Sequence, residues 1–175
     1  MEPDLKIADQ RNDPQFQKAL AFINQIGIAV IECELTHQTF LPGLDLGPGC
    51  IYVDYGRLLY PGDILHEAGH LAVTPAAQRA LIGSAQISED WPTQGEEIGA
   101  ILWSYAAAME LGLPLEYIFH ADGYKDDSAW LTENFQSGNF IGLPFLEWAG
   151  LALGEARASK EAKPAFPAML QWIRN

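Results

Sequence analysis

The sequence predicts an α+β fold that is mostly helical, with a small sheet of two to three strands. Two apolar runs rich in β-branched residues, at 28–35 and 50–55, predict strands. Several longer segments repeat apolar residues three and four positions apart, which predicts amphipathic helices. One of these helices contains the pattern His-Glu-x-x-His at 66–70, and we expect the sheet to pack on it.

The composition is that of a globular chain, and we expect one domain over 1–175. Hydrophobic residues make up 49% of the sequence, which is enough for a core. We expect that core at about 13–153, with a loose arm at 1–12 and a C-terminal extension at 154–175.

Charge and cysteine content indicate which partners the protein can bind and in which cellular compartment it is expected. A net charge of −13 at pH 7 would repel phosphates, so we expect binding neither to nucleic acid nor to a membrane. The first residues show no basic segment followed by an apolar run, and no stretch is long enough to span a bilayer. Cys33 and Cys50 are the only cysteines. Free thiols in a cytoplasmic protein are therefore expected.

Helical spacing and turn residues define the elements before the motif. Asp13 is a suitable cap for a first helix, and Gly27 is suited to end it. The predicted elements are a helix at 13–26, a strand at 28–35, a short strand near 39–41 within a turn-rich segment, and a strand at 50–55.

From the motif onward, the spacing of apolar residues predicts helices. We expect Asp63 to cap the motif helix and Thr74 to cap the next one. The longest helix, at 93–112, has one face of small residues that suits close packing against another helix. The predicted helices are at 63–73, 75–82, 93–112, 126–136, 143–153 and 169–173.

The motif helix is the strongest candidate for a functional site. His66 and His70 lie on one face of a helix because side chains four positions apart overlay, so they can share one zinc ion. Glu67 lies about a quarter-turn round, beside the open coordination position, where it can take a proton from zinc-bound water. The alternative is an ordinary amphipathic helix in which both histidines face the core or a partner.

Gly69 lies within this helix although glycine is a poor helix former. Its presence makes sense if another backbone must come close at this point. We therefore expect a close helix contact beside His70.

A third zinc ligand is expected from the start of the 93–112 helix. Thr93 and Glu96 have the spacing of a capping box, which would turn Glu96 back onto its own helix. That leaves Glu97 as the preferred ligand over Glu96. In the alternative, both glutamates only complement the helix N-terminus. His120 is an outside candidate for the third ligand.

These features resemble the gluzincin metallopeptidases. The order of a helix, two strands, His-Glu-x-x-His and a later glutamate helix is closest to the IrrE-like bacterial metallopeptidases, and Glu97, Ala100 and Trp103 match the pattern of their glutamate helix. Ile101 stands where many gluzincins have Asn or Asp. The resemblance covers about residues 14–110 and implies a zincin-like domain with Zn²⁺ as cofactor.

The expected function is zinc-dependent hydrolysis of a peptide bond in a specific intracellular protein. Glu67 would be the general base, and His120, Tyr124 or Tyr60 would supply a donor to the scissile carbonyl. The strand at 51–55 could pair with an extended peptide. Two alternatives are a catalytically silent zinc-containing regulatory or partner-binding domain, which Ile101 favours, and a metal-free helical protein.

Overall fold

A computed structural model describes residues 9–175; the first eight residues of the expected N-terminal arm lie outside the described part. The fold is α+β, as expected. The helices are α1 (Pro14–Gln25), α2 (Asp63–Val73), α3 (Ala76–Arg79), α4 (Gln94–Leu111), α5 (Leu115–Ile118), α6 (Ser128–Gln136), α7 (Leu143–Trp148) and α8 (Glu155–Glu161). The strands are β1 (Ala29–Glu32), β2 (Leu44–Gly47) and β3 (Cys50–Val53).

The three strands form one mixed sheet in the order β1-β3-β2. β1 is parallel to β3, with Ala29 opposite Cys50, and β2 is antiparallel to β3. The expected strand near 39–41 is wrong, because the second strand begins at Leu44 and joins β3 through a tight turn at Gly49, whose φ is +66°. The expected pairing of 51–55 with a peptide is also wrong, because β3 is the central strand and has neighbours on both sides.

α2 is buried along its whole length. Asp63 is its first residue and not its cap; the cap position is taken by Gly62. A side chain at Gly62 would collide with the backbone carbonyl of Tyr117, which packs against the start of the helix. The helix ends at Val73, as predicted, but Thr74 does not cap α3, since its hydroxyl donates to the His70 carbonyl at 2.6 Å.

α2 and α4 pack against each other more extensively than any other pair of elements. A Cβ at Gly69 would lie only 2.7 Å from the carbonyl oxygen of Ala100. The expectation that Gly69 admits another backbone is therefore confirmed, and the small residues of α4 provide that approach. Within α4, the capping box of Thr93 and Glu96 is present, and Gly112 ends the helix with a φ of 63°.

The helix after α6 is shorter than the expected 143–153. Gly150 has a φ of +75° just beyond Trp148, which ends the helical path. The expected terminal helix at 169–173 is not formed; Met169 instead makes an isolated β-bridge with Ala152. An additional helix, α8, lies in the tail.

The C-terminal segment belongs to the core, so the expected boundary at residue 153 is wrong. Phe166 is buried, and Trp172 packs edge-on against Phe22 and Trp103. The Trp103 indole also donates to the Trp172 carbonyl at 2.9 Å. We call residues 171–175 the C-terminal strap, because they cross the end of α2.

The strap closes α2 with hydrogen bonds to carbonyl groups that its last turn leaves free. The Arg174 backbone N–H donates to the Ala72 carbonyl at 2.8 Å, and its guanidinium donates to the Val73 carbonyl at 3.2 Å. Arg79 donates to the carbonyls of Leu71, Thr74 and Arg174. Across residues 9–175, no helix is both long enough and apolar enough to cross a membrane.

Candidate metal centre

Two helices bring His66, His70 and Glu97 together. The Nε2 atoms of the two histidines are 2.9 Å apart. One Glu97 oxygen lies 3.4 Å from the His66 Nε2, and the other lies 3.2 Å from the His70 Nε2. In the part of the chain that the structure describes, this is the one cluster of three such side chains with the proximity that a metal ion requires.

The size of the cluster fits zinc. Metal–nitrogen distances of 2.0–2.1 Å in a tetrahedron place neighbouring ligand atoms about 3.3 Å apart. The three observed separations of 2.9, 3.2 and 3.4 Å differ from that value by a few tenths of an ångström. Two imidazoles and a carboxylate are also a donor set that zinc accepts, and three ligands leave a fourth position open.

Burial of the cluster is uneven. The side chains of His66 and His70 are 7% and 8% exposed, whereas that of Glu97 is 41% exposed. The enclosed histidines face α4, and access is from the side of the carboxylate. A ligand in the open position would therefore approach past Glu97.

The pKa values of the cluster reflect burial and mutual contact. Burial lowers the pKa of His66 below its usual range. Burial also acts to lower the pKa of His70, but its contacts with Glu97 and the charge of Glu67 raise it overall. Burial alone would raise the pKa of Glu97, yet the hydrogen bonds from both histidines hold it far below the usual range. The carboxylate is therefore the anionic form that metal binding requires.

The outer nitrogens of the two histidines lack protein partners. Both Nδ1 atoms are buried and make no hydrogen bond to residues 9–175. In many zinc sites, a carboxylate or carbonyl fixes the ligand imidazole through this atom. Here the ring positions depend on packing: His66 contacts Tyr124 edge-on at 5.5 Å between centroids, and His70 contacts Trp91 at 6.0 Å.

Glu67 is buried beside the cluster, 8% exposed. Burial raises the pKa of its carboxyl to about 7, and the neighbouring acids Asp63, Asp45 and Glu97 act in the same direction against the opposing effect of His70. A pKa near neutrality suits a group that both accepts and releases a proton. Glu67 is not among the described residues that line the cavity next to the cluster.

A cavity of about 660 Å³ opens onto the cluster at His66 and Glu97. Its size is in the range of small-molecule and peptide sites. Its apolar walls come from the 40–42 segment, from α4, from α6 and from Ile141. Three further residues that the sequence suggested as carbonyl donors, Tyr60, His120 and Tyr124, also line it.

His120 is held by the first residue of α2 and is not a member of the histidine and glutamate cluster. Its Nε2 lies 2.8 Å from Asp63 Oδ1, and its ring stacks on Tyr60 with centroids 3.9 Å apart. Burial raises the pKa of Asp63 to about 6, although His120 lowers it. The Tyr60 hydroxyl in turn donates to Asp122 at 2.8 Å. Glu97, and not the outside candidate His120, therefore lies where a third ligand is expected.

Tyr124 lies over the cluster in a turn with unusual backbone geometry. Tyr124, Lys125 and Asp126 have φ values of 54°, 53° and 71°, a left-handed run that non-glycine residues rarely adopt. The Tyr124 hydroxyl is buried and makes no hydrogen bond of normal geometry among the described residues. Burial raises its pKa well above the usual range, against a smaller opposing effect of the nearby Ser104 hydroxyl, which itself donates to the Ile101 carbonyl. It remains protonated at neutral pH and can donate to a ligand in the cavity.

Glu96 has the structural role that its spacing predicts. The Thr93 N–H donates to Glu96 Oε2 at 2.8 Å, and the Glu96 N–H donates to Thr93 Oγ1 at 3.2 Å. Because this carboxylate is turned back onto the helix start, it is not in the cluster. The preference for Glu97 over Glu96 agrees with this geometry, while its role as a metal ligand stays a prediction.

Sequence reasoning missed the pairing of Asp63 with His120 and the apolar cavity itself. The pairing joins residues 57 positions apart, and no local pattern signals it. For the cavity, a usable signal was the placement of Ile98 and Ile101 beside Glu97 on one face of α4, since bulky apolar side chains next to a metal ligand favour an apolar site.

Comparisons of this chain with protein-family models, with curated proteins and with solved structures find no match.

Proposed function

We propose that this protein is a zinc-dependent peptidase. The observation that carries the proposal is the convergence of His66, His70 and Glu97 beside a cavity large enough for a peptide segment, which His66 and Glu97 line. Three ligands with one open position are typical of catalytic zinc sites, whereas structural zinc sites are closed by four protein ligands. The resemblance to gluzincins stays part of this proposal.

Bound zinc would supply Lewis acidity, which lowers the pKa of a coordinated water and polarises a carbonyl. Glu67 accepts the proton of the attacking water and returns it to the leaving amine, for which its pKa of about 7 is suited. Tyr124, with its free buried hydroxyl, donates to the developing oxyanion. His120 keeps Tyr60 and the 120–127 loop in place through its contact with Asp63.

The second candidate is a zinc-containing domain that binds a partner without cleaving it. The position of Glu67 favours this candidate, because Glu67 does not line the cavity into which a substrate would enter. Ile101 occupies a lining position of the cavity, where many gluzincins have a polar side chain. Both candidates require the same metal and the same cavity, so only turnover separates them.

The deciding experiment exposes a proteome-derived peptide mixture to zinc-loaded protein and detects new termini by mass spectrometry. The comparison is between wild type, Glu67→Gln and Glu110→Gln, in which an exposed glutamate of α4 is changed. A peptidase produces new termini with wild type and with Glu110→Gln, but at least about 100-fold fewer with Glu67→Gln. Equal cleavage by Glu67→Gln would reject the general-base role, and no cleavage by any zinc-loaded form would favour the partner-binding domain.

A further inference from the structure

The cavity beside the cluster has a lining that is mostly aliphatic and aromatic. Ile98 and Ile101 come from α4, Leu131 and Phe135 from α6, and Ile141 from the segment before α7. Of these, Phe135 is fully buried and belongs to the core, whereas Ile98 and Ile101 are half-buried. Apolar side chains that remain accessible inside a cavity gain free energy when another apolar group covers them.

The rim of the same cavity carries exposed aromatic rings. Phe40 is 93% exposed and Trp130 is 53% exposed, and both line the cavity. Among the described residues, the other aromatic side chain that is exposed to this degree is Trp148, which lies elsewhere. The placement of two of three exposed aromatic rings around one opening is unlike a random scatter of surface residues.

Charge at the opening is predominantly negative. Asp122 and Asp127 line the cavity, and Lys125 is the cation there. Asp63 is paired with His120 and Glu97 with the histidines. Asp122 accepts a hydrogen bond from the neutral Tyr60 hydroxyl and keeps its negative charge. The chain as a whole carries a net charge of −13. An acidic ligand would be repelled at this opening, while a basic group beside an apolar one would be attracted.

We propose that the cavity recognises a polypeptide segment in which adjacent bulky apolar side chains stand next to a basic residue. The apolar side chains enter between α4 and α6, and Phe40 and Trp130 cover them from outside. The basic residue remains at the opening near Asp122 and Asp127. This specificity deepens the proposed peptidase function and rests on it for its biological meaning, although binding itself does not require cleavage.

Three short peptides test the two parts of the proposal separately. They are acetyl-phenylalanyl-leucyl-arginine amide, the same peptide ending in aspartate, and acetyl-glycyl-glycyl-arginine amide. Binding to zinc-loaded Glu67→Gln protein is measured by calorimetry, so that turnover does not interfere. We expect the first peptide to bind at least about tenfold more tightly than either of the others. Equal affinity for the first and third peptides would overturn the apolar part, and equal affinity for the first two would overturn the charge part.

Rim variants show whether the binding occurs at this cavity. Phe40→Ala and Trp130→Ala together remove exposed rings, so folding is not expected to change, and should weaken the first peptide about tenfold or more. Trp148→Ala, which removes an exposed ring elsewhere, should leave the affinity unchanged. An equal loss in both variants, or no loss in either, would place the binding outside the cavity.

Tight selective binding without cleavage by wild type would sustain this specificity while rejecting the peptidase function. Cleavage without the predicted preference would support the peptidase function and reject this specificity.

Discussion

The two ends of α2 differ in how the rest of the chain meets them. At the C-terminal end, the carbonyls of Ala72 and Val73 are bonded by the C-terminal strap through Arg174. At the N-terminal end, Asp63 instead meets His120, at the edge of a cavity. One end is closed by hydrogen bonds from Arg174, and the other carries a buried pair of polar side chains that lines the cavity.

Along this single helix, the contacts that stabilise the fold lie at one end, and the groups that can contact a ligand lie towards the other. His66 and His70 lie between the two ends, and His66 lines the cavity whereas His70 lies one turn nearer the closed end. Groups that hold a backbone in place need no access to a ligand, while groups that act on a ligand must keep unsatisfied polar atoms. Changes at the open end should therefore affect ligands, and changes at the closed end should affect the free energy of unfolding.

The largest expected effect is the loss of metal on removing a proposed ligand. His70→Ala leaves two ligands on two different helices, and we expect zinc content to fall from about one per chain to near zero. His37→Ala changes an exposed histidine and should leave the zinc content unchanged. Metal analysis by mass spectrometry on protein purified without chelator or nickel tests this. A full complement of zinc in His70→Ala would mean that the ligand set is wrong.

Neighbouring glutamates of α4 should separate metal binding from helix capping. Glu97→Ala should abolish zinc binding, because this carboxylate contacts both histidines. Glu96→Ala should keep the zinc but lower the free energy of unfolding by about 1 kcal/mol, the usual magnitude for a lost cap. Zinc titration and urea denaturation of both variants are the measurements. Zinc loss in Glu96→Ala alone would reverse the assignment.

At the closed end, Trp172→Ala should destabilise the fold without removing the site. The ring packs against Phe22 and Trp103, so we expect a loss of about 3 kcal/mol. Zinc content of the folded protein should not change. Met109→Ala, at an exposed position of α4, should cost less than about 0.5 kcal/mol. Denaturation curves provide the values, and zinc loss in folded Trp172→Ala would contradict the separation of the two ends.

The smallest expected effect concerns the left-handed turn over the cluster. Lys125→Gly should raise the free energy of unfolding by about 0.5–1 kcal/mol, since glycine adopts a φ of 53° without strain. Lys160→Gly, within α8, should lower it by about 1 kcal/mol. If thermal denaturation shows that Lys125→Gly stabilises the fold and Lys160→Gly destabilises it, the backbone strain lies in this turn at the open end. A destabilised Lys125→Gly would show that the turn is not strained.

Local patterns predicted the parts of the site that lie within one element. Spacing placed His66 and His70 on one face, the capping box separated Glu96 from Glu97, and Gly69 indicated a close helix contact. These inferences depend on residues at most a few positions apart, for which helix geometry is known in advance.

Contacts between distant segments were not predictable in the same way. Asp63 has the sequence context of a cap, but its carboxyl meets His120, and Gly62 precedes it because Tyr117 needs the space. The order β1-β3-β2 and the strap across α2 likewise depend on how separate elements dock. The packing of Trp172 against Phe22 and Trp103 also follows from that docking, which no periodicity within 154–175 describes.

The contact between Gly69 and Ala100 has a consequence for how the protein would respond to metal supply. Two backbones touch at this point, so the distance between the histidine helix and the glutamate helix is determined by main-chain contact and not by the ion. Loss of the proposed zinc ion would then stop the proposed hydrolysis while the cavity kept its shape. In the proposed peptidase, the zinc-free form would still engage the proposed peptides and would compete for them with the zinc-loaded form.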